Sequence, residues 1–263
     1  SMEHLCFTEE EASRFLQQTL GDAASADLVR LFRQKTEGWP VGMRLAALFV
    51  EESGDSAQAI ARFGATSGGL VVDYLIAEVL EQVSPSLSSF MLRTSICDRL
   101  CADLCTALLD TPTAPDEAET HVAALQRTNL FVVELDDERR WWRYHHLFQE
   151  LLQHQLHLRC SGAEIRDLHR RACQWFADEG LLNEAIDHAL AAGDVAYAVS
   201  LVEQNRIAMF NLDQWYIVER WLAHLPESVK RRRPELILAQ AWVAYTRHAL
   251  ATIPVLLEPL DAL

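Results

Sequence analysis

Residues 130–152 read LFVVELDDERRWWRYHHLFQELL. The first run, LFVVEL, is rich in β-forming side chains, and RWWRY (140–144) is again aromatic, with the polar DDER between them. Two such runs around a short polar turn predict a β-hairpin. The pattern then changes period. In HHLFQELLQHQLHL, Leu147, Phe148, Leu151, Leu152 and Leu156 fall on one face of a helix. Short amphipathic segments precede the hairpin, so a winged-helix-like module is predicted from about residue 70 to residue 158.

Upstream, TEEEASRFLQQTL opens with Thr8 as a candidate N-cap and acids in its first turn. Leu28, Leu31 and Phe32 belong to a second helix ending near Gly38. A third, PVGMRLAALFVEE, begins at Pro40, where the missing N–H costs nothing. GATSGG (64–69) reads as a connection. VVDYLIAEVLEQV, PSLSSFMLRTSI from Pro85, RLCADLCTALL and EAETHVAALQRTN are then predicted helices, the last two separated by a Pro-rich TPTAPD loop.

Downstream of Ala163 the character shifts. HRRACQWFADEG, LLNEAIDHALAAGD and VAYAVSLVEQN are predicted helices with Ala at close-packing positions, and Gly180 and Gly193 sit where a helix-ending glycine is favoured. WYIVERWLAHLP and ELILAQAWVAYTRHAL continue the series. Helix pairs of this kind stack as in tetratricopeptide arrays. The sequence stops in LLEPLDAL without a capping repeat, which reads as a truncated array.

The chain has 263 residues, half of them apolar, and a formal net charge of -15. Such acidity argues against nucleic-acid binding, which depends on neutralising phosphates. The basic run Lys230-Arg231-Arg232-Arg233 is expected in a solvated loop. No run is long and apolar enough to predict a membrane span. Six cysteines in a chain of this length fit reduced thiols in a cytoplasm better than a disulfide framework. Cys97, Cys101 and Cys105 recur at helical spacing. They could share a metal, but Leu100, Leu104 and Leu108 mark an apolar stripe beside them, and buried packing is the better reading. Trp141, Trp142 and Tyr144 could stack on bases; in so acidic a chain they are expected to pack on helices.

The common phosphate, hydrolase, zinc-protease and dinucleotide motifs are absent, so no catalytic residue is assigned. His145 and His146 stand at a predicted strand-to-helix junction. One reading makes them structural. The other lets one contact an anionic ligand, since helix N-termini favour anions.

The order of segments resembles the MalT-like large ATP-binding regulators of bacteria, STAND-class signalling ATPases with a C-terminal LuxR-type DNA-binding domain. The resemblance is carried by TEGWPVGMRLAAL (36–48), DYLIAEVL (73–80), FMLRTSICDRLCADLCTALL (90–109), LQRTNLFVVELDDERRWWRYHHLFQELL (125–152), LHRRACQWFADEGLLNEAIDHALAAGD (168–194) and WLAHLPESVKRRRPELILAQAWVAY (221–245). It implies a mainly α fold: a small helical domain (3–65), a winged-helix regulatory domain with one β-hairpin (66–158), and a helical arm that starts a tetratricopeptide-like sensor (159–263). The resemblance further implies that Gly38-Trp39-Pro40 is the G-x-P motif whose proline packs near adenine. His145 matches the histidine that reaches the β-phosphate of ADP in related proteins, with His146 in place of the usual aspartate. The implied cofactor is ATP or ADP in a full-length parent, with no tight binding by this chain alone. The implied partners are an upstream nucleotide-binding domain, a small-molecule or protein inducer, and other copies in the active state. DNA would be reached only through a missing C-terminal domain. The alternatives are a stand-alone helical scaffold or adaptor for a protein or peptide, a nucleotide-free DNA-binding winged helix, and an enzyme.

Overall fold

Thr8 starts the first helix through two reciprocal bonds. Its Oγ1 accepts from the Glu11 N–H at 3.3 Å, and the Glu11 carboxylate accepts from the Thr8 N–H at 2.9 Å, a capping box that satisfies two donors the helix cannot. The computed structural model describes residues 7–21, 24–36, 38, 40, 42–44, 47, 50, 83–109, 114–128, 132–138 and 140–262. The chain divides into two units, Ser1–Ser161 and Gly162–Leu263, and the described residues are mainly α-helical.

In the first unit, α1 (Glu9–Leu20) packs on α2 (Ala26–Thr36). Their faces bury Ala12, Leu16, Leu28 and Phe32 around Met43, Ala47 and Val50. Those three are helical, as is Pro40. The GATSGG connection and the helix expected over 71–83, apart from Val83, lie outside the described residues.

The winged-helix portion follows. α3 (Pro85–Thr94) is capped by Ser84, whose Oγ accepts from the Leu87 N–H, with Pro85 in the first turn. Next come α4 (Ala102–Leu108), α5 (Ala114–Thr128), β1 (Val132–Glu134), β2 (Trp142–Tyr144) and α6 (His146–Arg159). β1 and β2 are antiparallel, pairing Val132 with Tyr144 and Glu134 with Trp142. The connection is longer than DDER. Leu135 N–H still reaches Trp141 O, and the Asp136 carboxylate accepts from the Trp141 N–H. Helix boundaries also differ from expectation. α4 excludes Arg99 and Leu100, because Leu100 exchanges both backbone hydrogen bonds with Trp142, at 2.7 and 3.0 Å, and adds a one-residue third strand. α5 starts at Ala114, inside the expected TPTAPD loop, since Pro115 is tolerated in a first turn.

The second unit is a helical array: α7 (Gly162–Asp178), α8 (Leu182–Ala191), α9 (Val195–Asn211), α10 (Trp215–His224), the single-turn α11 (Glu227–Lys230), α12 (Pro234–Thr246) and α13 (Ile253–Leu257). α7 packs on α8, α8 on α9, α9 on α10 and α10 on α12; α8 also meets α10, and α9 meets α12. α7 starts at Gly162 and α9 at Val195, close to the roughly 34-residue period of tetratricopeptide pairs. Four corners share one geometry. Gly180, Gly193, Asp213 and His248 have φ of 74°, 77°, 57° and 59°. In each case the following N–H closes back across the turn: Leu181 to Phe176 O, Asp194 to Ala189 O, Gln214 to Met209 O and Ala249 to Ala244 O.

The basic run departs from its expected solvated position at one residue. Arg231, Arg232 and Arg233 are exposed, but Lys230 is buried. Its Nζ donates to Leu222 O at 2.9 Å, near the C-terminus of α10, where carbonyls lack helical partners and a cation is favoured.

Between α7 and α8, His188 stacks on Phe176 with centroids 5.3 Å apart, and its Nδ1 lies 2.8 Å from His169 Nδ1. One nitrogen donates and the other accepts, so the pair does not tolerate a proton on both. Burial, with His169 beside it, pushes the His188 imidazole down to about 3.

Two outcomes are expected. A Cβ at Gly180 would meet nothing within 4 Å, so Gly180→Ala costs only backbone strain, about 1–2 kcal/mol; thermal melts should show this, with Gly180→Asn recovering part of it. An unfolded histidine titrates near 6.5, so below that pH the unfolded chain takes up a proton that folded His188 refuses. His188 therefore costs nothing above pH 6.5 and destabilises progressively as the pH falls towards 3. Urea melts at about pH 7 and about pH 5 should show the loss, and His188→Phe should reduce it.

Candidate functional site

The junction between β2 and α6 is built from buried aromatics. Trp142 and Tyr144 point to the same face of a strand, and both are almost fully buried. Their rings meet edge-on at 5.5 Å, and Tyr144 meets Phe148 at 5.8 Å. The Tyr144 hydroxyl is 2.8 Å from Thr94 Oγ1, which also donates to Phe90 O. The end of β2 and the first turn of α6 are thus anchored to the last turn of α3.

A second tie comes from α6 itself. The Gln149 amide donates to Ser95 O and Cys97 O, both at 3.1 Å, and meets Asp98 Oδ1 at 3.3 Å. Gln153 donates to Ser95 O at 2.8 Å. These amides satisfy carbonyls that the end of α3 leaves without helical donors. Between the two ties sits His145. It is the N-cap of α6, in extended backbone at φ -56° and ψ 137°, and only 5% exposed. Its side chain does not cap the helix, and the first turn of α6 carries no acid. His146, one residue on, faces outward, with Nδ1 3.4 Å from Glu150 Oε1. The adjacent histidines thus occupy opposite environments.

Gly38 is also buried. Its φ of 75° favours glycine, its N–H reaches Arg33 O at 3.1 Å, and its carbonyl accepts from the Phe7 N–H at 2.7 Å. It thereby ends α2 and ties the turn to the start of the chain. Pro40 is half-buried and helical. Trp39 lies outside the described residues. α2, which leads into this turn, packs on α6, which begins after His145.

Residues 76–164 match the MalT winged helix domain family. Over 259 residues, 97% of the chain, the sequence is 32% identical to the HTH-type transcriptional regulator MalT of Klebsiella pneumoniae. It is 33% identical over 262 residues, 98% of the chain, to MalT of Yersinia enterocolitica. The chain is MalT-like. It spans 28% of the length of each of those regulators. It is also 34% identical, over 241 residues and 90% of its length, to the serine/threonine-protein kinase PknK of Mycobacterium tuberculosis, of which it spans 21%. The likeness to a family of transcriptional regulators thus extends across almost the whole chain.

Cys97, Cys101 and Cys105 of this MalT-like chain lie in the core rather than on one helix. Cys97 precedes α4, Cys101 is its N-cap and Cys105 lies within it; all three are buried. Burial raises their thiols above the ordinary cysteine range, which disfavours the thiolate needed for nucleophilic or metal chemistry. Leu100, Leu104 and Leu108 are fully buried beside them. Trp141 is half-buried under the Arg99 guanidinium, 4.6 Å from its ring centroid.

Sequence reasoning did not single out Thr94, Gln149 or Gln153. A glutamine on the polar side of an amphipathic helix carries no local sign that it will meet carbonyls fifty residues away. Gln149→Met should keep the volume but strand the Cys97 carbonyl, while Ser95 O keeps its bond from Gln153, lowering stability by about 1–2 kcal/mol. Chemical denaturation measures the loss, and a substitution at the neighbouring exposed position, His146→Gln, should leave the midpoint unchanged.

Proposed function

We propose that this chain is the regulatory part of an ATP/ADP-switched bacterial transcriptional activator, coupling nucleotide state to inducer sensing and self-association. One observation carries the reading. His145 is buried between β2 and α6, at the N-terminus of a helix whose first turn carries no acid. An imidazole beside the N–H groups that open a helix suits a phosphate. When bound, the nucleotide supplies that negative charge. Its other contacts would come from an upstream nucleotide-binding domain of the same protein, with Gly38, Trp39 and Pro40 on the adenine side.

In this reading, His145 holds the β-phosphate of ADP and so docks the winged helix in the closed, inactive arrangement. His146, outward and beside Glu150, takes no part. ATP exchange and an inducer on the helical arm favour the arrangement in which His145 is released; each must bind one arrangement better than the other to shift the balance. The released form self-associates and reaches DNA through a LuxR-type domain elsewhere in the parent, in the cytoplasm. The kinase relative is similar over a fifth of its length, which we read as the same regulatory module attached to a different output. The chain itself acts on no substrate and holds nucleotide only weakly without the upstream domain.

In the full-length protein, His145→Ala should speed ADP release roughly ten- to a hundredfold, since a hydrogen bond to a charged group is worth about 1.5–3 kcal/mol. His146→Ala should leave it unchanged. Stopped-flow release of a fluorescent ADP analogue measures both, and an unaltered rate in His145→Ala would falsify the assignment.

A further inference from the structure

The second unit contains a cavity of about 500 Å³ between α10, α11, α12 and α13, a size typical of small-molecule sites. Its polar lining is Lys230, Gln240, Glu219 and Arg247, and its apolar lining includes Val243 and Leu256. We propose that this cavity binds a small amphipathic monocarboxylate, with the acid at Lys230 and the apolar body against Val243 and Leu256.

Lys230 is 5% exposed. Its ammonium has three protons. One meets Leu222 O at 2.9 Å and one meets Glu227 Oε1 at 2.5 Å, which leaves the third for a ligand. Glu227 is largely exposed and does not line the cavity. Gln240 lines the same cavity half-buried and makes no side-chain hydrogen bond among the described residues, so its amide is available to a ligand there. Arg247 pairs with Glu219. Each cation of the lining thus already has a carboxylate partner, Glu227 for Lys230 and Glu219 for Arg247, and the Glu227 carboxylate lies outside the cavity, largely in solvent. The cavity therefore offers donors, the third ammonium proton and the Gln240 amide, rather than excess charge, which suits one carboxylate and not a phosphate dianion. The remaining walls require the rest of the ligand to be apolar.

The site gives the arm of the proposed switch a small effector, and rests on that reading only for its regulatory meaning. Binding is therefore measured on the 263-residue chain without nucleotide, independently of ADP release. A panel of acids and their neutral amides serves as probe: phenylacetate, indole-3-acetate and octanoate against phenylacetamide, indole-3-acetamide and octanamide, by calorimetry. At least one acid should bind about tenfold or more tightly than its amide. Lys230→Met should erase that preference. Because Lys230 also supports the end of α10, Leu256→Trp provides a second variant that fills the cavity from a half-buried position. It should abolish binding while the circular dichroism spectrum stays unchanged. No binding by any acid, equal binding of acid and amide, or full binding by Leu256→Trp would each overturn the proposal.

Discussion

The side-chain amide of Gln149 joins two carbonyls, of Ser95 and Cys97, that lie more than fifty positions away in sequence. The order of the winged-helix portion depends on that join. Without it, the Cys97 carbonyl between α3 and α4 would lose its donor, at a cost comparable to a whole buried hydrogen bond, and Ser95 O would keep only the bond from Gln153. With it, Leu100 is held where it can exchange backbone bonds with Trp142. β2 is then fixed on both sides, and Tyr144 can reach Thr94. The position of His145 follows from these constraints, since it lies between a strand that cannot shift and a helix whose first turn is tied.

Local chemistry makes part of this legible in the sequence. The capping box at Thr8 and Glu11, the proline that opens α3, the hairpin and the glycines at 180 and 193 depend on neighbours within a few residues. The features that escape share the opposite property. The bridge at Leu100, the amides of Gln149 and Gln153 and the burial of Lys230 are decided by partners farther along the chain. The left-handed corners at Asp213 and His248 show the same limit in another form: the backbone repeats a geometry that glycine marks elsewhere, but these residues do not announce it.

The candidate site is legible in a different way. The residues alone leave His145 and His146 interchangeable, since both stand at the same junction. Geometry separates them: one is an enclosed N-cap, and the other sits in solvent beside Glu150. The family resemblance favours His145 on grounds of position. In the reading we propose, burial at the opening of a helix adds a physical argument for His145, since helix N-termini favour anions.

The second unit is organised by succession: each helix rests on the next and, in places, on the one after. As a mechanical object such an array is a row of joints in series. Compliance adds from joint to joint, so a small rotation at each corner becomes a large displacement at the far end, while no single interface need break. A load or a ligand acting between α10 and α13 would therefore be felt as a change of curvature, a response that a single closed core would resist.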